Sequence, residues 1–117
     1  MAEKITVYQK PTCSKCIATL GILEDQGVEF EAINYYEQPL TAEELRALIR
    51  KLGLSPRDVL RWDDPASRRL NLAERDLSDD ELITIMSENP DLIQRPIVVR
   101  GDRAVLARPP EDVQTLL

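Results

Sequence analysis

Two thiols set three residues apart carry the clearest chemistry in this sequence. Cys13 and Cys16 are its two cysteines, in the run Lys10-Pro11-Thr12-Cys13-Ser14-Lys15-Cys16. On one turn of helix, residues i and i+3 lie about 5–6 Å apart, inside the span a disulfide bridges, so the pair can close without moving the backbone. A structural zinc site asks for four ligands, and the chain offers two thiols and no imidazole. A secreted disulfide scaffold would scatter more cysteines through a shorter chain. A metal shared across a dimer and a pair of inert buried thiols stay open as alternatives, but the spacing and the helix-start position favour redox chemistry, with Cys13 as the nucleophile and Cys16, further into the helix, as the resolving thiol. Histidine is absent altogether, which excludes Ser-His-Asp and Cys-His catalysis and histidine-ligated zinc, iron and copper centres. The thiol must then be activated by position. A sulfur at a helix N-terminus faces free N–H groups and the positive end of the macrodipole, which lower its pKa from about 8.5 toward neutrality. Lys10 and Lys15 stand beside it and add positive potential.

The elements that must hold the pair are legible on either side. Ile5-Thr6-Val7-Tyr8 is a short β-rich run ended by Pro11 and Thr12. From Ser14 to Gln26, Cys16, Leu20 and Leu23 recur at a helical period, and Gly27 is the expected residue just past the helix end. Val28-Glu29-Phe30-Glu31-Ala32 alternates strictly, so a second strand is expected from Val28 to about Asn34. The opening is a βαβ unit with the cysteines at its first strand-to-helix turn. Thr41-Ala42-Glu43-Glu44 is a capping box, with Leu45, Leu48, Ile49 and Leu52 behind it and Gly53 as its stop. Ser55-Pro56 starts a short helix, Asp63 to Arg69 reads as polar and irregular, and Ser78-Asp79-Asp80-Glu81 is a second capping box ahead of Leu82, Ile83 and Met86. Pro96-Ile97-Val98-Val99 and Arg103-Ala104-Val105-Leu106 flank Gly101-Asp102 as a hairpin, and Pro109-Pro110-Glu111 opens a last short helix. The order is βαβ, several helices, then ββα. It predicts one α/β domain over residues 1–117: a thioredoxin-like (glutaredoxin-like) mixed four-stranded sheet with flanking helices. A helical insertion, approximately residues 41–94, separates strands 2 and 3.

Composition bounds the partners. The chain has 117 residues, 43% hydrophobic and 31% charged, with a net charge of −6. That is one domain, able to build a core, and too acidic for a general nucleic-acid binder. No run approaches the roughly 20 apolar residues of a membrane span, and Met1-Ala2-Glu3-Lys4 leads straight into a strand with no signal-peptide pattern. No Gly-rich phosphate loop is present. Tyr35-Tyr36 and Trp62 read as packing or rim residues. The expectation is a cytoplasmic monomer with no metal, no bound cofactor, and no nucleic-acid or membrane partner.

Three arginines, Arg61, Arg95 and Arg108, stand at element edges, two of them directly before a proline. Arg95-Pro96 introduces the third strand. In a thioredoxin-like fold that proline faces the cysteine loop, and a cis peptide is expected there. Guanidinium forks converging beside a thiolate suit a tetrahedral oxyanion such as arsenate, phosphate or sulfate. Composition and spacing alone leave each of the three as an ordinary surface arginine.

A family resemblance goes further. Tyr8-Gln9-Lys10-Pro11-Thr12-Cys13, Leu92-Ile93-Gln94-Arg95-Pro96-Ile97-Val98-Val99 and Leu106-Ala107-Arg108-Pro109 together resemble the glutaredoxin-linked arsenate reductase family. Asn34-Tyr35-Tyr36 and Pro39-Leu40-Thr41 through Glu44-Leu45 extend the likeness to essentially the whole chain. The resemblance implies a thioredoxin-like fold with a helical insertion. It also implies that a single N-terminal cysteine attacks arsenate while three arginines hold the oxyanion. Glutathione and glutaredoxin then reduce the arseno-enzyme and release arsenite. Residue by residue, it puts the cysteine at Cys13 and the arginines at Arg61, Arg95 and Arg108; Lys10, Lys15 and Pro96 are read as supporting residues. Two departures stand out. The family's histidine and asparagine ahead of the cysteine loop are replaced by Tyr8-Gln9-Lys10, and its serine and arginine after the catalytic cysteine by Cys16 and Ile17. Lys15 is a candidate to replace the lost charge. The added Cys16 permits an intramolecular disulfide, so thioredoxin joins glutaredoxin as a candidate reductant.

Other classes compete. Spx-type regulators carry a CxxC and a similar Arg-Pro-Ile segment but act by binding RNA polymerase, with the cysteine pair as a redox switch. A glutathione-dependent thiol oxidoreductase of another substrate is the remaining alternative. Arg108-Pro109 favours the reductase. The expected function is thiol-dependent reduction of arsenate to arsenite through Cys13, with glutathione as co-substrate.

Overall fold

Ile5, Val7 and Gln9 are buried on one face of the first strand while Thr6 and Tyr8 on the other are half-buried, so the alternation in the sequence becomes a one-sided core face. The structure, a computed structural model, describes residues 4–117. In it the strand β1 (Ile5–Gln9) is followed by helix α1 (Ser14–Asp25) and strand β2 (Phe30–Asn34). Helices α2 (Ala42–Leu52), α3 (Pro56–Val59), α4 (Pro65–Arg69) and α5 (Asp79–Glu88) come next, then strands β3 (Ile97–Arg100) and β4 (Arg103–Leu106). Short 3₁₀ turns fill Leu72–Glu74, Pro90–Leu92 and Pro110–Leu116. Two compact units result, one made of the described residues up to Gln38 together with Arg95–Leu117, the other of Pro39–Gln94.

The first unit is built on a four-stranded sheet of order β2-β1-β3-β4. β2 runs parallel to β1, β3 antiparallel to β1, and β4 antiparallel to β3. This is the mixed sheet expected of a thioredoxin-like fold. Its core gathers Ile5, Val7, Leu23, Val98, Ala107, Val113 and Leu116, with α1 packed against the C-terminal 3₁₀ turn. Each of the larger ones, the valines, leucines and isoleucine, contributes about 1.5–3 kcal/mol when taken out of water. β2 begins at Phe30 and not at the expected Val28. Val28 is already committed to the end of α1: its N–H donates to Leu23 O at 3.1 Å while Gly27, at φ +70°, donates to Glu24 O at 3.0 Å. The last element is a 3₁₀ turn, tighter than the helix expected there.

In the second unit both capping boxes form. Thr41 Oγ1 accepts from the Glu44 N–H and Ser78 Oγ from the Glu81 N–H, and each glutamate accepts from its cap's own N–H in return. α2 buries Leu45, Leu48 and Ile49, α5 buries Leu82, Ile83 and Met86, and the two helices pack together. Leu52, expected on the same face, is half-buried. The stretch expected to be irregular holds α4 instead. Asp64 caps it by accepting from the Ala66 N–H at 2.9 Å, and Pro65 occupies its first position. A helix of five residues spans less than two turns, so it shows no hydrophobic period to read. No helix among the described residues is long and apolar enough to cross a membrane.

Candidate active site

The sheet brings four chain ends to one edge. β1 and β2 are parallel with Gln9 opposite Asn34, so the segments that leave them, Lys10–Cys13 and Tyr35–Tyr36, emerge side by side. β3 runs the other way, with Ile97 opposite Tyr8, so Arg95 and Pro96 enter the sheet at that same edge. Leu106 lies opposite Ile97, which places Arg108 there too, just past the end of β4. Four segments distant in sequence thus meet around the start of α1.

Cys13 is the N-cap residue of α1, with extended backbone at φ −82° and ψ 123°, and its N–H closes a tight turn onto Lys10 O at 3.0 Å. The sulfur is half-buried and makes no cap hydrogen bond of ordinary geometry. It lies close enough to the Cys16 thiol, the N–H groups of Cys16 and Lys15 and the Arg95 guanidinium for these to favour its thiolate. Burial by itself pushes the Cys13 pKa up; these donors outweigh it and hold the thiol below its ordinary range. Cys16 behaves oppositely. It is fully buried, and burial first, then the neighbouring Cys13 sulfur, push its pKa up to about 12. The spacing predicts a resolving role for Cys16; in the structure the two sulfurs stand in opposite surroundings, Cys13 among donors that favour its thiolate and Cys16 in a burial that keeps its proton.

Arg95 is 7% exposed, against the surface reading that its type alone suggests. Burial disfavours its charge, but Tyr35, Tyr36 and Cys13 more than offset this, so the guanidinium stays a cation. Its Nη1 donates to Tyr36 Oη at 3.2 Å, and the Tyr35 hydroxyl is a second partner. Arg108 is half-buried and anchored by a hydrogen bond from Nη1 to the Arg95 carbonyl at 3.0 Å. The peptides Arg95-Pro96 and Arg108-Pro109 are both cis, the first as expected, the second unanticipated. Pro96 is buried, and its carbonyl accepts from the Ala107 N–H at 3.0 Å, tying the two arginine segments together. Lys10 stands over the Tyr36 ring, its ammonium 4.8 Å from the centroid. Lys15 contributes through its backbone N–H, with its side chain exposed.

Cys13, Cys16, Lys10, Lys15, Arg95, Pro96 and Arg108 thus belong to the first unit. Arg61 belongs to the second, where its Nη1 meets Asp64 Oδ2 at 3.4 Å and the Asp91 carbonyl at 3.3 Å. Its place among the oxyanion ligands rests on the family resemblance. The residues that sequence reading missed are Tyr35 and Tyr36, taken for packing or rim. The available signal was their position directly after a strand parallel to β1, since loops that leave parallel strands emerge at one edge. No cluster of three or more potential metal ligands exists among the described residues. An open cavity of about 870 Å³ lies at the opposite sheet edge, by Ile5, Phe30 and Arg100, and contains none of these groups.

An activated thiol at a helix start beside a buried guanidinium, on this fold, is an arrangement suited to thiol-redox chemistry next to an anion. Comparison with known proteins specifies it. Residues 8–116 match the ArsC family. The chain is 39% identical over 114 residues to an arsenate reductase of Haemophilus influenzae, covering 97% of this chain and 98% of that protein. It is 41% identical over 115 residues to an arsenate reductase of Escherichia coli, covering 98% of this chain and 82% of that one. An arsenate reductase structure from Vibrio cholerae matches it with a TM-score of 0.95 at 42% identity, covering 100% of both chains. The chain belongs to the ArsC family, that of the arsenate reductases.

Proposed function

We propose that this protein reduces arsenate to arsenite, with Cys13 as the attacking thiolate and glutathione with glutaredoxin as the source of electrons. The observation that carries this reading is a buried cation that no carboxylate neutralises, set beside the nucleophilic sulfur. No carboxylate forms an ion pair with Arg95 among the described residues, and the cation faces a sulfur held below its ordinary pKa. A buried charge with no carboxylate beside it is costly, and an arriving oxyanion would supply the missing negative charge. Arg108, anchored on the Arg95 carbonyl, supplies a second cationic fork.

In this mechanism the guanidinium groups and the start of α1 hold the arsenate oxygens. The Cys13 thiolate attacks arsenic, an S–As bond forms, and one arsenate oxygen leaves as water. A second thiolate then attacks the Cys13 sulfur. An S–S bond forms, the electron pair of the S–As bond stays on arsenic, and arsenite departs. Arsenic has gained two electrons and two thiols have become one disulfide. Cys16 is poorly suited to be the second thiol: it is fully buried and, with its pKa pushed up to about 12, carries its proton at neutral pH. Its S–H serves instead as a donor to Cys13, and glutathione makes the second attack. The resulting mixed disulfide is the substrate of glutaredoxin. Two unbridged cysteines suit a reducing compartment, and we place the protein in the cytoplasm as a monomer.

The test is NADPH oxidation in the presence of glutathione, glutaredoxin and glutathione reductase, with and without arsenate, beside a thioredoxin system. Arsenate-dependent turnover that Cys13→Ser abolishes is the expected result. Turnover sustained by thioredoxin alone would overturn the donor, and no turnover in either system would overturn the reductase in favour of a redox switch.

A further inference from the structure

A guanidinium taken out of water must find acceptors, and most buried arginines find a carboxylate. Arg95 finds hydroxyls. It is 7% exposed, its Nη1 donates to Tyr36 Oη at 3.2 Å, the Tyr35 hydroxyl is a further partner, and no carboxylate ion-pairs with it among the described residues. The difference matters for what the cation can do. A carboxylate would satisfy the N–H donors and cancel the charge in one contact. A hydroxyl satisfies a donor and carries no compensating charge, so the field of the guanidinium remains available to the Cys13 sulfur beside it.

We infer that Tyr35 and Tyr36 are positioning residues: their hydroxyls hold the Arg95 guanidinium against the Cys13 sulfur without cancelling its charge. Both are built for that task. Tyr35 is 1% exposed, and its ring lies 5.2 Å from that of Tyr36 at an interplanar angle of 32°, so each fixes the other. The backbone at Tyr36 is fixed by Asn34, whose Oδ1 accepts the Tyr36 N–H at 3.0 Å and whose carbonyl accepts from Glu37 and Gln38. Tyr36 also uses its ring face, over which the Lys10 ammonium sits. One uncharged side chain thus gathers two cations at the cysteine loop, one on its face and one on its hydroxyl.

The inference rests on the reading of Cys13 as the working nucleophile, so its test reads the thiol and requires no arsenate. Alkylation of Cys13 by iodoacetamide is followed against pH in the full chain, with the labelled residue located by mass spectrometry. Tyr36→Phe keeps the ring and its face for Lys10 while removing the acceptor. It is expected to move the alkylation midpoint up by about half to one pH unit, which is threefold to tenfold slower labelling below both midpoints. Arg95→Gln is expected to move it the same way, and the double variant no further than Arg95→Gln alone, because the hydroxyl acts through the guanidinium. Tyr35→Phe is expected to act like Tyr36→Phe; should it fail to fold, the half-exposed Tyr36 still decides. A midpoint unmoved in Tyr36→Phe, or shifts that add in the double variant, would overturn the inference. These shifts in the variants, with no arsenate turnover by the wild-type protein, would sustain it and sink the arsenate reading instead.

Discussion

At the scale of single residues, the site divides two similar thiols by their surroundings. Cys13 sits at a helix start among donors; Cys16 sits three residues on with its sulfur fully buried. On the proposed mechanism, in which glutathione makes the second attack, Cys16→Ser is expected to keep most of the turnover with glutathione and glutaredoxin, at a rate lowered a fewfold by the loss of the thiol donor beside Cys13; the NADPH-coupled assay reads this. The oxyanion contacts follow a different arithmetic. A charge-assisted hydrogen bond is worth about 1.5–3 kcal/mol, so Arg108→Ala should raise the arsenate concentration needed for half-maximal rate about tenfold to a hundredfold. Cys16 also sets a pH limit on stability. In the unfolded chain a thiol loses its proton from about pH 8.5, whereas in the fold it holds on to about pH 12. Unfolding therefore releases a proton between those values, and stability falls as the pH rises, by up to about 1.4 kcal/mol per pH unit for one group. Tyr35, whose pKa is also raised by burial, steepens the decline above about pH 10. Urea unfolding at pH 8 and pH 10 should show the loss, and a smaller one in Cys16→Ser. These two thiols were legible from the sequence because three-residue spacing is local. The charge environment was not: a tyrosine pair reads as packing until its partner, some sixty residues away, is brought beside it.

At the scale of elements, caps and ends decide what the sequence revealed. The boxes at Thr41 and Ser78 were readable because both hydrogen bonds in each join residues three apart. Removing one, as in Ser78→Ala, is expected to cost about 1 kcal/mol, seen as a lowered urea midpoint with an unchanged slope. The start of β2 was misjudged for a physical reason: alternation continues through Val28 and Glu29, but the closing hydrogen bonds of α1 take Val28 first. Gly27 makes that closure possible. A Cβ there would meet nothing within 4 Å, so Gly27→Ala would pay for conformation alone, about 1–2 kcal/mol at φ +70°. Thermal unfolding of that variant against Gly21→Ala, in the middle of α1, separates the two effects: the second is expected to be neutral or stabilising. Helix α4 escaped notice because five residues carry no period, although Asp64-Pro65 spelled its beginning.

At the scale of the whole molecule, the fold class was readable from element order, since βαβ followed by a hairpin admits few sheets once a parallel crossover is required to be right-handed. The large apolar side chains that remain exposed are Ile17, Leu54 and Leu117, scattered singly among the described residues. Scattered exposure of this kind is ordinary for a monomer, and size-exclusion chromatography with light scattering is expected to give the mass of one chain at every protein concentration tested. Assembly of the site has a consequence in time. The activating groups come from the start of α1 and, across the sheet, from Arg95 just ahead of β3, and the residues from Pro39 to Gln94 intervene between them in the chain. A nascent chain that has produced Cys13 has not yet produced the guanidinium that sharpens it. Until Arg95 has been made and the sheet has closed, the sulfur has its local donors but not that cation. The full reactivity of Cys13 thus reports a chain made past residue 95 with its sheet closed.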